Sequence, residues 1–260
     1  MTQDIYDPDY VANLFNRCSP RYRNWAAVSS FGMVVWWRKL CVARLSGQSN
    51  IGRIQDGHLS PQSPTAPVVY DLMAGTGEVW PHVLSAFPKA RITAIDISER
   101  MHQEAKDKLH GTRHGQIEHI AANALIHDLP QAGADMLVAT FGLKTFSADQ
   151  QATLARQIAR CLKPGGAFCL IEASDPKGWI LRPLYRLYLD RVLPLVERLF
   201  LNGAQDFSMI GTYTAKFGDC TVIEQALRAQ GLIVTQKRHF FGCATSVAGT
   251  KPIAQAPNAP

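Results

Sequence analysis

Two aspartates, each closing an apolar run and separated by a glycine-bearing turn, are the residues best placed to do chemistry in this chain. Val68-Val69-Tyr70-Asp71-Leu72 reads as a buried strand, and Met73-Ala74-Gly75-Thr76-Gly77-Glu78 as a small-residue turn that opens into a helix. Glycines in such a turn permit positive φ and let the backbone approach a ligand closely. The N–H groups at the following helix start can contact a polar ligand. The second acid, Asp96, closes the strand Arg91-Ile92-Thr93-Ala94-Ile95. An acid about twenty residues beyond the glycine turn is where α/β folds grip ribose hydroxyls. The third glycine of a dinucleotide fingerprint is missing, because Val79-Trp80 stand where it would fall. The spacing of the acid fits a contact to ribose hydroxyls, while the full dinucleotide fingerprint is absent.

The elements that position these residues follow from the patterning. Strands are predicted at 68–72, 91–95, 117–120, 135–140, 167–172, 232–240 and 243–248, with helices at about 78–86, 98–110, 148–162 and 219–229. Lys163-Pro164-Gly165-Gly166 is a helix stop and a turn into the fifth strand. Such alternation implies an α/β fold with a Rossmann-like, seven-stranded, mostly parallel sheet and helices on both faces. Only Phe241-Gly242 separates the last two strands, which should pair antiparallel. Ligands in such sheets gather at the carboxyl edge of the strands, where 71–77, 96–98, 123–124 and 140–145 converge. Residues 1–45 read as a helical amino-terminal lid, broken at Cys18-Ser19-Pro20 and at Ser29-Ser30-Phe31-Gly32. Residues 46–67, rich in Ser, Gly, Gln and Pro, read as a flexible loop. The main α/β domain would span 68–251. Within it, 179–217 is a cap whose amphipathic helix bends near Pro194, and 252–260 forms a disordered tail.

Bulk composition narrows the classes. At 260 residues the chain suits one large domain, or a domain with a small cap, and 47% hydrophobic residues suffice for a core. The formal charge of +6 fits an anionic membrane surface as well as a mildly basic enzyme. Its basic residues are scattered, which argues against nucleic acid. The six cysteines have no C-x-x-C or close Cys/His spacing, so no metal site is expected. The amino terminus lacks the apolar region of a signal peptide and no run is long enough to span a bilayer, so a cytoplasmic location is expected.

The turn Asp71-x-x-x-Gly75-x-Gly77-Glu78 with Asp96 resembles the S-adenosylmethionine site of class I methyltransferases. Further segments are similar to the ubiquinone/menaquinone C-methyltransferase family: Val11–Arg17 with Tyr22, Ser30-Phe31-Gly32 through Trp37-Arg38, Asp96-Ile97-Ser98-Glu99-Arg100-Met101, Thr140-Phe141-Gly142-Leu143-Lys144, Leu162–Gly166, Glu172–Pro176 and Gly249-Thr250-Lys251. The resemblance covers roughly residues 10 to 251, with 46–67 as an insertion. It implies S-adenosylmethionine as cofactor, with Asp71, Gly75, Thr76, Gly77, Asp96, Ile97, Asn123, Ala124 and Thr140 around it. Asp71 would order the turn or accept the cofactor's ammonium, and Asp96 would bind the ribose diol. Asn123 and Ala124 would flank the adenine, and Thr140 would line the sulfonium end. Lys144 and Tyr22 are the candidates for catalysis. Lys144 would stabilise an ionised acceptor phenol, and Tyr22 would relay a proton or donate a hydrogen bond. Trp25, Trp36, Trp37, Tyr185 and Tyr188 would enclose a long isoprenoid tail, or simply form core.

The chain departs from the family on the acceptor side. Tyr22-Arg23-Asn24-Trp25-Ala26 replaces Tyr-Asp-x-Met-Asn, Val34 replaces a histidine, Lys144-Thr145 replaces Arg-Asn, Ala122 replaces the glycine and Asn123 the aspartate of Gly-Asp-Ala, and Val247 stands for a late histidine. The expected activity is methyl transfer to carbon of an aromatic or prenylated quinol. A methyltransferase for another small molecule and a weakly catalytic cofactor-binding accessory protein are the alternatives. Expected partners are a small-molecule or lipid-like acceptor and no nucleic acid. Peripheral contact with the inner membrane surface and homodimer formation stay open.

Overall fold

Both faces of the first two strands are apolar, and such strands must be covered on two sides. In the computed structural model, which describes residues 4–51, 66–108, 114–200 and 209–253, they form the centre of a seven-stranded sheet. The strands are β1 (Val68–Leu72), β2 (Arg91–Asp96), β3 (Ile117–Ala121), β4 (Ala134–Thr140), β5 (Leu162–Ala173), β6 (Ile233–His239) and β7 (Ala244–Thr250), in the spatial order β3-β2-β1-β4-β5-β7-β6. β1 to β5 run parallel, and β7 is inserted antiparallel between β5 and β6. The chain works outward from β1 through β2 to β3, then returns to β1's other side at β4. The crevice at that reversal is where doubly wound sheets take their ligands.

Alternate side chains feed two cores. Val69, Ala94, Val138, Cys169 and Ile171 pack on one face beneath α2 (Met33–Ile51) and α3 (Trp80–Ala86). Leu72, Ile95, Leu137, Ala139, Phe168 and Leu170 pack on the other beneath α5 (Ala148–Cys161) and α9 (Thr221–Ala229). α4 (Glu99–Lys108) follows β2. The cap is built from α6 (Arg182–Leu187), α7 (Leu193–Phe200) and α8 (Met209–Phe217), over α1 (Pro8–Ser29).

Three expectations change. The break at Cys18-Ser19-Pro20 is absent, and α1 runs unbroken from Pro8 to Ser29. Pro20 cannot donate to the Asn16 carbonyl, but the Ser19 hydroxyl does so at 3.2 Å and spares the turn. The second break is present, with Phe31 and Gly32 both at positive φ. The amino-terminal region is not all lid. Trp37, Cys41, Val42 and Leu45 of α2 belong to the main core, and Arg44 donates to Ser246 and to the Thr235 carbonyl. Residues 46–51, expected in a loop, continue α2. The rest of that loop and the tail beyond 253 lie outside the described residues. In the cap, where a bend near Pro194 is expected, the helix carries a π-helical stretch, Tyr188–Val192, in which Leu193 N–H donates to the Tyr188 carbonyl five residues back.

Strand boundaries otherwise fall within a few residues of expectation. Lys163–Gly166 loops out of register as a turn, because pairing with β4 jumps from Leu162↔Ala134 to Ala167↔Met136.

Candidate active site

The glycine turn is built around Trp80. Its indole N–H donates to Asp71 Oδ2 at 2.7 Å, beneath the turn and away from solvent. Gly77 has φ +77°, and a Cβ there would lie 2.4 Å from the Trp80 ring, so only glycine fits. Thr76 Oγ1 donates to Glu78 Oε1. Burial pushes the Asp71 carboxyl up to about 8, against the pull of the indole N–H.

Asp96 closes the opposite wall. Its Oδ2 accepts the Gly75 N–H at 2.7 Å and its Oδ1 the Ser98 N–H at 2.8 Å. Burial raises this carboxyl above its usual range, and the two backbone donors oppose the rise. Asn123 Oδ1 caps its own turn by accepting the Leu125 N–H at 2.9 Å. Gly75, Asp96, Ile97, Asn123, Ala124 and Thr140 line one cleft together with Glu78 and Arg38. Asp71, Thr76 and Gly77 do not line it and instead hold the turn from behind. Tyr6, Pro8, Val11 and Phe15 close the cleft from the amino-terminal side and leave a narrow space of about 60 Å³. Asn16 latches this lid, since its Oδ1 accepts from the Ser98 hydroxyl at 2.7 Å.

A second, far larger cavity of about 470 Å³ adjoins the cleft, walled by α1, α2 and the cap. Phe15, Tyr22, Phe141 and Thr145 line both spaces and form the passage between them. Burial raises the Tyr22 hydroxyl far above its usual range, only partly offset by Arg38, so it stays protonated. Lys144 lines the cavity, its ammonium 2.6 Å from the fully buried Glu172 carboxylate and 3.3 Å from the Phe141 carbonyl. Glu172 also accepts N–H groups from Lys144 and Ala173. Trp25, Trp37, Tyr185 and Tyr188 line the cavity as expected, whereas Trp36 faces outward, half exposed, because α2 turns its neighbour Trp37 to the core.

Arg38 and Glu172 are the residues the sequence reading passed over. In the sequence Arg38 and Glu172 stand only within the family-like segments Ser30–Arg38 and Glu172–Pro176, with no role of their own. Tertiary contacts bring Arg38 into the cleft wall and bury Glu172 against Lys144.

The ubiE/COQ5 methyltransferase family matches residues 3–251. The chain belongs to this family. A demethylmenaquinone methyltransferase of Lactococcus lactis is 26% identical over 93% of this chain and 89% of its own length. The ubiquinone/menaquinone biosynthesis C-methyltransferase UbiE of Syntrophotalea carbinolica is 31% identical over 78% of each. Among solved structures, human N-acetylserotonin methyltransferase in complex with SAM superposes with a TM-score of 0.53 at 20% identity. It covers 89% of this chain, which spans only 58% of that one. The fold is that of class I methyltransferases, and the protein is an S-adenosylmethionine-dependent methyltransferase. The cleft suits that cofactor: a carboxylate for a ribose diol, a glycine that admits close approach, and no cluster of cations such as a phosphate chain would need.

Proposed function

We propose that this methyltransferase acts on a ring carbon of a quinol that bears a long apolar tail, in ubiquinone or menaquinone biosynthesis. The observation that carries the reading is the 470 Å³ cavity, walled mainly by aromatic and aliphatic side chains and joined to the cofactor cleft through Phe15, Tyr22, Phe141 and Thr145. A polar metabolite would leave such walls unsatisfied, whereas an isoprenoid tail fills them at roughly 0.8 kcal/mol per buried methylene.

In this reading Asp96 takes the ribose hydroxyls, while Ile97, Asn123 and Ala124 bracket the adenine. Gly75 and Thr140 face the sulfur end, and Asp71, Thr76 and Gly77 support the turn. S-Adenosylmethionine supplies a methyl group made electrophilic by its sulfonium. The protein's task is to hold the acceptor carbon in line with it at near-attack distance. Tyr22, held protonated, donates a hydrogen bond to a ring oxygen at the passage. Lys144 has three ammonium hydrogens. Glu172 and the Phe141 carbonyl take two, and the third supports negative charge on the quinol as the ring is activated.

The cavity mouth suggests where the tail enters. Phe31, Leu181, Leu184 and Leu187 line the cavity and are also exposed. We read this rim as peripheral contact with a membrane surface.

The test supplies purified protein with methyl-labelled cofactor and a demethylated quinol with its tail. Label on the ring carbon is the expected product. Tight cofactor binding with no labelled quinol, and label instead in another small molecule, would overturn the choice of acceptor.

A further inference from the structure

We propose that the Tyr185 hydroxyl, carried on the cap, binds the second ring oxygen of the acceptor, the one para to the oxygen at Tyr22 and Lys144, and so selects a ring with two para hydroxyls. The proposal rests on the quinol reading of the large cavity and names what recognises the far side of the ring.

A carbon acceptor must turn one ring edge to the passage, so that the reacting carbon meets the methyl group in line. The oxygen beside that carbon then lies near Tyr22 and Lys144. The para oxygen lies across the ring and points into the cavity. A hydroxyl buried there without a partner costs about 1–3 kcal/mol. The far wall therefore needs a polar group.

Most hydroxyls of the wall are committed. The Tyr188 hydroxyl donates to the Ser29 carbonyl at 2.8 Å, the Tyr213 hydroxyl to the Ile5 carbonyl at 2.6 Å and the Thr145 hydroxyl to the Gly142 carbonyl at 2.7 Å. The Trp37 indole N–H and the Thr214 hydroxyl have no partner among the described residues, but both atoms are closed off within the wall. Tyr185 differs from all of these. It lines the cavity, its hydroxyl is bonded to no described residue, and that hydroxyl is not closed off. A tyrosine hydroxyl can donate or accept, so it suits a phenol oxygen in either role.

The fold holds this hydroxyl at the reacting end of the cavity. Arg182 pins α6 to the end of the sheet, donating through Nε and Nη2 to the two Asp175 oxygens at 2.7 Å each. Arg186 ties the same helix to α8 through the Gly211 carbonyl at 3.2 Å. Tyr185 stands between these anchors and packs on both the main core and the cap cluster. Burial raises its hydroxyl far above the usual range, and Cys243, Asp175 and Glu172 add to the rise. Glu172 acts on the Tyr22 hydroxyl as well. The two tyrosines thus share the neighbourhood of the carboxylate that holds Lys144, and both stay protonated.

Calorimetry without oxygen, on the full chain saturated with S-adenosylhomocysteine, tests this with two short-tailed acceptors. One is the quinol, and the other carries hydrogen in place of the distal hydroxyl. Wild type should bind the quinol about tenfold tighter than the deoxy analogue. Tyr185→Phe keeps the ring and loses the hydroxyl. It should weaken the quinol about tenfold and leave the analogue within about twofold, with S-adenosylhomocysteine affinity unchanged. Equal losses for both acceptors in the variant would show a packing role and overturn the proposal, as would a wild type that does not distinguish them. A preference for the quinol that survives in Tyr185→Phe would place the far oxygen elsewhere and overturn it too. Wild type that binds S-adenosylhomocysteine but neither acceptor would overturn the quinol reading itself.

Discussion

Lys144 and Glu172 show how a residue's surroundings set what it can contribute. Their buried pair means that removing one partner strands the other. Lys144→Met leaves an unpaired buried carboxylate, a cost of about 3–5 kcal/mol in comparable pairs, so activity lost in that variant alone would be ambiguous. The double variant Lys144→Met/Glu172→Gln removes the stranded charge. It should restore the melting temperature while turnover stays about 10²-fold down, with cofactor affinity unchanged. Recovery of turnover along with stability would assign the pair to structure alone.

Asp71 gives a pH signature. Its folded carboxyl titrates near 8, raised mainly by burial, against about 4 in an unfolded chain. The native state therefore holds this proton more tightly. The stabilisation is complete below about pH 4 and is lost as pH rises toward 8. Thermal melts should show wild type losing stability between about pH 4 and pH 8 and Asp71→Asn losing clearly less. Parallel curves would mean that the carboxylate is already ionised in the fold.

At the scale of elements, α1 is the mobile candidate and α2 the fixed one. α2 drives Trp37, Cys41 and Leu45 into the core. α1 meets the cofactor cleft chiefly through Phe15, Val11 and the Asn16 latch. The segment before α1 is tied down by two bonds: Gln150 Nε2 donates to the Tyr6 carbonyl and the Tyr213 hydroxyl to the Ile5 carbonyl. A cleft of 60 Å³ must widen for a nucleoside, since ligand sites run to about 300 Å³ and more. Asn16→Ala removes the acceptor of two latch bonds, from the Ser98 hydroxyl at 2.7 Å and the Arg100 N–H at 3.4 Å, each worth about 1 kcal/mol or less. It should raise the rate of S-adenosylhomocysteine release about fivefold in stopped-flow measurements without changing the fold. An unchanged rate would place the opening motion elsewhere.

The lid also marks where element boundaries escaped the sequence. Pro20 reads as a break because its ring removes a donor, yet Ser19 caps the freed carbonyl. The polar composition of Ser46-Gly47-Gln48 reads as a loop, yet the residues before it are anchored to β5 and β7, and the helix is carried on to Ile51.

For the whole molecule, the question is how a long-tailed acceptor reaches a buried passage. Phe31, Leu184 and Leu187, which line the cavity, are between 52% and 80% exposed. Trp179 stacks on Phe241 at the same edge. If the rim rests on a membrane as proposed, these apolar side chains are the ones that would enter it. The arginines among them are partly committed, Arg182 to Asp175 and Arg186 to Asp190, so apolar burial should dominate over charge. Leu184→Asp/Leu187→Asp should cut partition onto phosphatidylglycerol-containing vesicles about 30-fold. Methylation of a short-tailed, water-soluble quinol should persist in that variant. Equal vesicle binding by both proteins would remove the membrane from the account.

Much of this protein was legible in its residues. Continuous apolar runs alternating with helical stretches determined a mostly parallel sheet, with the Asp71–Glu78 turn and Asp96 at its carboxyl edge, because strand patterning and turn chemistry are local properties. Gly77 and Asn123 belong to the same class, each set by contacts within a few positions. Tertiary structure alone decided the rest. It turned Asp71 from the cleft toward Trp80, brought Arg38 from a distant helix to face Glu78, paired Lys144 with Glu172, and opened a large apolar cavity behind Tyr22. These depend on which buried groups meet across elements far apart in the chain, where desolvation makes each charge's partner decisive, and spacing along a sequence does not encode that meeting.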